Sequence, residues 1–306
     1  MLRIRRLEEA IARRYTEWEM RCPVHLCIGQ EAIAVGVCEA LRRDDQVFSG
    51  HRAHGHYLAK GGAMTPMLAE MYGRATGCCG GIGGSMHLID RAAGFMGAVP
   101  IVAATIPIAV GAAWAAALKG DERVVAVFFG DGAFEEGVVH ESIAFAVLHR
   151  LPVLFVCENN HYACQTPLGT RRGSAMHAVA AAQGCQVVTG DGNDVDFVAA
   201  AAARAAASAR VGEGPWFLEF ETYRWLEHCG PNDDDGLGYR PAGELAAWQA
   251  RCPLAAQARA LRAAGVAEDW FAAVEAELTA EIEAAFAAAR AAPLPDYARM
   301  EGLVHG

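Results

Sequence analysis

Short runs of apolar residues alternate along the chain with longer stretches of helical periodicity. Two charge-free runs, residues 124–129 and 152–157, are rich in β-branched and aromatic side chains, as expected for strands buried on both faces of a sheet. Further strands are predicted at residues 186–188 and 216–221, with a helix between them. This alternation predicts an α/β fold, a mostly parallel sheet with helices on both faces.

The helical periodicity predicts most of the remaining chain. The predicted helices cover residues 3–20, 30–42, 64–72, 105–118, 137–149 and 195–209, and alanine-rich helices follow at 243–249, 254–264 and 268–291. The residues before position 105, from Ala92 through Val102, are predicted to form a loop. We therefore divide the chain into a domain at residues 1–240 and a C-terminal helical extension at 241–306.

One segment imitates a membrane span. Residues 92–118 contain no charged side chain, but glycines and prolines interrupt the stretch and most of its side chains are small. Because lipid would gain little from burying it, we predict a helix packed inside the protein and no membrane association.

Composition narrows the class of protein. With 53% hydrophobic and 20% charged residues in 306, the chain can bury a large core, which excludes global disorder. The net charge of −10 argues against nucleic-acid binding. Ten cysteines, an adjacent pair at Cys78-Cys79 and eight scattered ones, show no regular disulfide framework. Because no secretory leader precedes Arg3, we expect free thiols and a cytoplasmic location.

Polar chemistry follows the first buried strand. Gly130-Asp131-Gly132 places a carboxylate between two glycines at a strand end, where backbone N–H groups can face a phosphate. A structural turn would also explain these residues. The dinucleotide fingerprint G-x-G-x-x-G does not fit, because Glu135 stands at its third glycine position.

The second buried strand also ends in polar residues. Asn160 lies 29 residues after Asp131, one strand–helix–strand excursion away, so the two side chains can meet at neighbouring strand ends. Carboxylate and amide oxygens are ligands that suit Mg²⁺, which also binds phosphates of a substrate or cofactor.

These two turns, and motifs elsewhere in the chain, resemble the α subunits of two-chain, thiamine diphosphate-dependent 2-oxo acid dehydrogenases of the pyruvate and acetoin type. The resemblance covers about Arg3 to Arg240. Its motifs are His25-Leu26-Cys27-Ile28-Gly29-Gln30-Glu31-Ala32, His51-Arg52-Ala53-His54-Gly55-His56, Gly83-Gly84-Ser85-Met86-His87, Glu158-Asn159-Asn160-His161-Tyr162 and Glu221-Thr222-Tyr223-Arg224.

The resemblance implies a thiamine diphosphate-binding fold over residues 1–240, with Mg²⁺ and thiamine diphosphate as cofactors. Asp131, the Asn160 side chain and the Tyr162 carbonyl would bind Mg²⁺. His54 and His228 would be catalytic, on the side of the substrate and of a lipoyl acceptor. The residues implied to contact the cofactor are His51, Arg52, Val102, Gly130, Asp131, Gly132, Ala133 and Asn160.

The resemblance also implies partners. Since the chain holds only one nucleotide-type domain, a β subunit would supply the second in an α₂β₂ assembly. The enzyme would cleave a carbon–carbon bond next to the carbonyl of a small 2-oxo acid or of acetoin. The acyl group would then pass to a lipoyl-bearing acyltransferase.

Departures from the family pattern keep other functions open. The family has a histidine where this chain has Leu226, a modifiable serine where it has Cys229, and lysines where it has Gly80 and Ile82. A carboligase or ketol-transferring enzyme without lipoamide, or a non-catalytic scaffold subunit, are the alternatives.

Zinc binding is an alternative role for some of the histidines. His51, His54 and His56 could bind zinc, as could Cys22, His25 and Cys27, but neither group shows a complete ligand set. We predict structural roles for the second group.

Overall fold

A computed structural model describes residues 1–296 together with residues 298, 301 and 302. Its main sheet consists of β1 (Gln46–Ser49), β2 (Phe95–Ala98), β3 (Val125–Gly130), β4 (Val153–Asn159), β7 (Gln186–Asp191) and β8 (Trp216–Glu221). The strand order is β2-β1-β3-β4-β8-β7, and every neighbouring pair is parallel. A small antiparallel hairpin, β5 (Tyr162–Ala163) and β6 (Thr166–Pro167), follows β4. The predicted parallel sheet is confirmed.

Twelve α-helices are found in the described residues. They are α1 (Leu2–Tyr15), α2 (Glu31–Glu39), α3 (His54–Ala59), α4 (Met64–Met71), α5 (Thr105–Leu118), α6 (Gly137–Leu148), α7 (Leu168–Arg171), α8 (Met176–Ala182), α9 (Val195–Arg210), α10 (Glu244–Gln249), α11 (Pro253–Ala263) and α12 (Glu268–Ala291). Two 3₁₀ turns, Asp131–Glu135 and Asp235–Leu237, complete the regular structure.

The sheet separates two hydrophobic cores, because successive side chains of a strand point to opposite faces. In β3, Ala126 and Phe128 pack with α1, α2, α9 and α12 on one face. Val125, Val127 and Phe129 pack with α5, α6 and α8 on the other. The prediction of helices on both faces is therefore confirmed.

Several predicted boundaries were wrong. The N-terminal helix ends at Tyr15 rather than residue 20, and Trp18 has a φ of 59°, outside the right-handed helical region. The segment 92–102, predicted as loop, contains the edge strand β2. Its Phe95-Met96-Gly97-Ala98 is too short and too rich in small residues to show a strand pattern. Strand β1, helices α3, α7 and α8 and the β5–β6 hairpin were also not predicted.

The C-terminal helices pack onto the rest of the chain. Phe286 of α12 is 1% exposed, and its ring lies 6.3 Å from that of Tyr72. Glu244, at the start of α10, accepts hydrogen bonds from the hydroxyls of Tyr162 (2.6 Å) and Tyr223 (2.9 Å). The domain boundary at residue 240 stays a prediction, and residues 297, 299, 300 and 303–306 of the predicted extension lie outside the described residues.

Helix α5 is formed as predicted. Ile106, Ala109 and Ala113 bury one side of it against the sheet. Among the described residues, no helix has both the length and the apolar character needed to cross a membrane. All ten cysteines are free, as predicted.

Candidate active site

A cleft of about 390 Å³ lies where β1, β3 and β4 end. The chain passes from β1 to β2 on one side and places β3 on the other, and such a reversal of strand order opens a crevice at the carboxyl ends of the strands. Ten of the eleven predicted site residues line it: His51, Arg52, Val102, Gly130, Asp131, Gly132, Ala133, Asn160, Tyr162 and His228.

One side of the cleft, which we call the oxygen wall, is formed by Asp131 and Asn160. The Asn160 amide donates to Gln30 Oε1 at 3.0 Å, and its Oδ1 accepts from the Tyr162 backbone N–H at 3.2 Å. Asp131 Oδ2 forms an ion pair with Arg171, a residue that the sequence analysis did not single out. Burial raises the pKa of Asp131, and the nearby Arg171 opposes that shift.

Three buried polar atoms on residues lining the cleft have no hydrogen-bond partner in the described part of the chain: Asp131 Oδ1, Gln30 Nε2 and His25 Nδ1. Buried polar atoms are almost always paired in folded proteins, so each of these three is suited to a bound group. Asp131 Oδ1 is an acceptor that a cation would satisfy. The donor capacity of Gln30 and His25 suits an anion.

The opposite side, which we call the imidazole wall, is formed by His25, His51, His228 and Arg52. The ring centroids of the three histidines lie 4.6 to 5.2 Å apart. Burial, followed by the charges of neighbouring cationic groups, lowers their pKa values to about 2 for His25, 3 for His51 and 4 for His228. All three rings are therefore neutral near pH 7.

Arg52 places a positive charge beside these rings. It is 8% exposed and donates to the carbonyls of Leu26 (2.5 Å) and His228 (3.2 Å). Burial, and secondarily Arg224, lower its pKa to about 10, which still leaves it charged at neutral pH. No carboxylate of the described residues pairs with Arg52, although a buried charge without a counter-ion is costly. The imidazole wall is therefore suited to an anion that recognises a forked cation, such as a phosphate.

Gly132 and Val102 shape the remaining boundary of the cleft. A Cβ on Gly132 would lie 2.9 Å from the Cβ of Ala163, so the hairpin after β4 can approach this turn only because residue 132 is glycine. Val102 is 49% exposed and Ile101 is 71% exposed. These side chains give the rim an apolar part, which suits the rings of a cofactor.

The prediction for His54 needs correction, because this side chain does not reach the cleft. It is fully buried, with Nδ1 2.9 Å from Glu8 Oε1 and Nε2 2.7 Å from Ser85 Oγ. Glu8 also accepts from the Cys27 backbone N–H at 2.6 Å. With both ring nitrogens engaged inside the core, His54 ties α1 to the segments around Cys27 and Ser85, and we assign it no catalytic role.

His56, which was not predicted, lies at the cleft instead. Two residues of helix are about 200° of rotation, so His54 and His56 point to different sides of α3. The His56 ring stacks on Phe128 at 4.0 Å, with Nδ1 2.8 Å from Ser49 Oγ and Nε2 3.0 Å from Glu158 Oε1. It thus joins the ends of β1 and β4 across β3.

Neither group of residues considered above as an alternative zinc site forms a ligand cluster within the described part of the chain. His51 belongs to the imidazole wall, whereas His54 and His56 are engaged with Glu8 and Glu158. Nitrogen atoms of His25, His51 and His228 do lie within 4.8 Å of one another. The positive charge of Arg52 beside them opposes binding of a metal cation.

Comparison with known proteins gives a family. Residues 1–298 match the family described as the dehydrogenase E1 component. The chain belongs to the dehydrogenase E1 component family. This confirms the family that the motifs resembled, the α subunits of thiamine diphosphate-dependent dehydrogenases, and with it a partner subunit.

Individual relatives within the E1 family are α subunits. The chain is 42% identical over 231 residues to the α subunit of acetoin:2,6-dichlorophenolindophenol oxidoreductase from Bacillus subtilis, covering 74% of this chain and 69% of that one. It is 40% identical to the subunit of the same name from Cupriavidus necator, covering 96% and 89% of the two chains. It is 38% identical to the pyruvate dehydrogenase E1 component subunit α from Zymomonas mobilis, covering 96% and 83%.

Proposed function

We propose that this E1 chain is the α subunit of a dehydrogenase that uses thiamine diphosphate and Mg²⁺ to act on a small 2-oxo acid or acetoin. The observation that carries the proposal is that the cleft has two chemically opposite walls. The oxygen wall is suited to a cation, and the imidazole wall is suited to a diphosphate.

The roles of individual residues follow from this division. Asp131, the Asn160 side chain and the Tyr162 carbonyl hold Mg²⁺, since these are hard oxygen donors and Asp131 Oδ1 has no other partner among the described residues. The diphosphate is held by groups from both strand ends and from the imidazole wall: Gly130, Gly132, Ala133, His51 and Arg52, with His25 and Gln30 added from the structure.

When bound, thiamine diphosphate supplies the carbon nucleophile that cleaves the carbon–carbon bond next to a carbonyl. The protein's part is to orient reactants and move protons. His228 lines the cleft a few residues beyond β8, and its pKa of about 4 keeps the imidazole neutral at physiological pH, so one ring nitrogen can donate a hydrogen bond and the other can accept one. We assign it to the transfer of the acyl group.

The partner subunit, as we propose it, covers the outer face of α5. Ile108, Gly111, Ala115 and Leu118 share one side of this helix and are exposed, and no charge interrupts them. The same segment reaches the cleft through Val102. An apolar face that continues into an incomplete site supports a large obligate interface, for which we propose a β subunit and an α₂β₂ arrangement.

The acyl acceptor would approach the cleft beside the loop that follows β8, which carries His228. We assign it to a lipoyl group on an acyltransferase, from the family resemblance. Glu227 folds the loop after β8 onto itself, because it accepts from the Asn232 backbone N–H (2.9 Å) and Nδ2 (2.7 Å). The departures from the family motif in this loop, at Leu226 and Cys229, leave as second candidate a carboligase or ketol transferase without lipoamide.

The compartment follows from the thiols. Because all ten cysteines are free, some of them partly exposed, we propose a reducing compartment such as the cytoplasm.

Reconstitution with the partner subunit tests the function. The purified chain alone, and the chain with its β-type partner, are assayed on pyruvate and acetoin with a dye as electron acceptor. We expect turnover only with the partner. Turnover by the chain alone, free of partner, would contradict the incomplete site. Replacing the dye with a lipoyl domain then separates the two candidates, because only a dehydrogenase of the lipoyl type transfers its acyl group to it.

A further inference from the structure

The glycine-rich loop after α4 presents two adjacent thiols outside the cleft. Residues 77–84 wind around Glu70, whose side chain is buried. Its two carboxylate oxygens accept four backbone N–H groups, from Cys79 (2.7 Å), Gly81 (2.9 Å), Gly83 (2.6 Å) and Gly84 (3.1 Å). This carboxylate therefore fixes the loop, and with it the positions of Cys78 and Cys79.

The sulfurs of Cys78 and Cys79 and an oxygen of Glu70 all lie within 4.8 Å of one another. Four N–H donors already use the acceptor capacity of Glu70, which leaves the two sulfurs as the possible ligands. The Cys79 thiol donates to the His87 carbonyl at 2.7 Å, so a ligand that displaces the thiol proton also replaces this hydrogen bond. Zinc requires four ligands in a structural site, which this group does not offer. Two adjacent thiols can instead bind a single soft atom that forms one bond to each sulfur.

The two thiols differ in acidity. Interaction with the adjacent Cys79 thiol, aided by the Ile89 backbone, lowers the pKa of Cys78, and the same interaction, together with burial, raises the pKa of Cys79. Cys78 therefore ionises first and is the better nucleophile, with a second thiol beside it.

The thiols can also be reached from solvent. Both cysteines are half-buried, and Gly80, directly after them, is exposed. A Cβ added at Gly80 would meet no atom within 4 Å, so open space adjoins the residue that follows the pair. Four other cysteines, Cys27, Cys38, Cys157 and Cys185, are buried and offer no such access.

We propose that Cys78 and Cys79 form a vicinal dithiol site that binds a trivalent arsenical through both sulfurs. An arsenoso compound, R–As=O, loses its oxygen and gains two As–S bonds, and the two thiol protons leave with the oxygen as water. Arsenic stays trivalent and no sulfur is oxidised, so no further reactant is needed. The site is separate from the cleft.

Phenylarsine oxide is the probe for this site. The folded chain of 306 residues, purified free of any lipoyl-bearing protein, is incubated with one equivalent and its intact mass is measured. We expect a single adduct that survives an excess of 2-mercaptoethanol, because release from a dithiol requires both As–S bonds to break. 2,3-Dimercaptopropanol should remove it.

Variants assign the adduct. Cys78→Ser and Cys79→Ser should each lose the monothiol-resistant adduct, while Cys164→Ser and Cys229→Ser, which change the two exposed single thiols, should keep it. Circular dichroism and thermal melting check that the serine variants fold. A resistant adduct that persists in Cys78→Ser, or a wild-type adduct that 2-mercaptoethanol removes, would overturn the proposal. Either outcome leaves the function proposed for the cleft untouched.

Discussion

The two walls of the cleft differ in how their buried charges are compensated. On the oxygen wall, the buried carboxylate of Asp131 is already compensated by an ion pair with Arg171. On the imidazole wall, the buried guanidinium of Arg52 has two carbonyls as partners and no carboxylate among the described residues. The three histidines beside it are held neutral, which limits the positive charge that accumulates there.

The difference shows which wall depends more on its ligand. Arg171 already neutralises the Asp131 carboxylate through Oδ2, so a cation that binds the free Oδ1 meets a reduced negative charge and the repulsion of the guanidinium. An anion that binds to Arg52 does not have to displace a carboxylate of the described residues. We therefore expect the imidazole wall to bind pyrophosphate by itself, whereas the oxygen wall acts only with metal.

The largest expected effect tests the oxygen wall. Asp131→Asn keeps the size of the side chain but removes its charge, and we expect Mg²⁺-dependent binding of thiamine diphosphate to fall by roughly 10²-fold or more. Isothermal titration calorimetry measures it. Asp121→Asn, in the turn before β3 at the end of the strands away from the cleft, serves as control. Unchanged affinity in Asp131→Asn, or equal wild-type affinity with excess chelator, would contradict a metal on this wall.

The next effect concerns the part of the imidazole wall contributed by the loop after β8. His228→Ala should lower the overall reaction with the physiological acceptor by about 10²–10⁴-fold, the usual contribution of general acid–base catalysis. The dye-coupled assay of the first half-reaction should stay near wild type. If both assays fall together, His228 serves the first half-reaction instead, and if neither changes, its catalytic assignment is wrong.

A smaller effect separates the two walls directly. Arg52→Gln should weaken binding of inorganic pyrophosphate, measured without metal, by roughly 10- to 100-fold, as expected for loss of a charged hydrogen bond. Arg91→Gln, an exposed arginine that does not line the cleft, is the matched control. Equal pyrophosphate affinity in Arg52→Gln and wild type would mean that the anion is held elsewhere.

The smallest effect is on stability against pH. Folding lowers the pKa of His228 from 6.5 to about 4, so between these values the unfolded chain binds more protons than the folded one. The free energy of unfolding is therefore unaffected by the titration of His228 above about pH 6.5, and it decreases as the pH falls from 6.5 toward 4. His228→Asn should flatten the decline in melting temperature from pH 7.5 to 5, by a slope equivalent to roughly one proton. Parallel curves for the variant and wild type would show that His228 is not held neutral by the fold.

Local patterns along the chain were sufficient to predict that the two residues of the oxygen wall lie at the same end of the sheet. Two apolar strands ending in Asp131 and Asn160 predicted both the parallel sheet and the meeting of these side chains, because neighbouring parallel strands end at one edge. Arg171 could not be foreseen, since α7 has only four residues and no helical pattern of its own. The short strands β1 and β2 escaped prediction for a similar reason.

The histidines mark the limit of reasoning from sequence. Motif resemblance placed His51, Arg52 and His228 in the site and identified the E1 family. His25 belongs to one of the family motifs but was not predicted as a site residue, although it lines the cleft. His54 was predicted as catalytic, whereas its neighbour His56 is the histidine of α3 that lines the cleft.

The fold class, the polar strand ends and the family can be read from the amino-acid sequence, because they depend on periodicity and on motifs within a few residues. Which side chains meet depends on how distant segments of the chain pack together. His25 and His228 are about two hundred residues apart, and their contact depends on how the loop after β8 packs on the N-terminal segment. The acidity of the imidazoles is likewise a product of burial and of Arg52, neither of which a residue carries in its own identity.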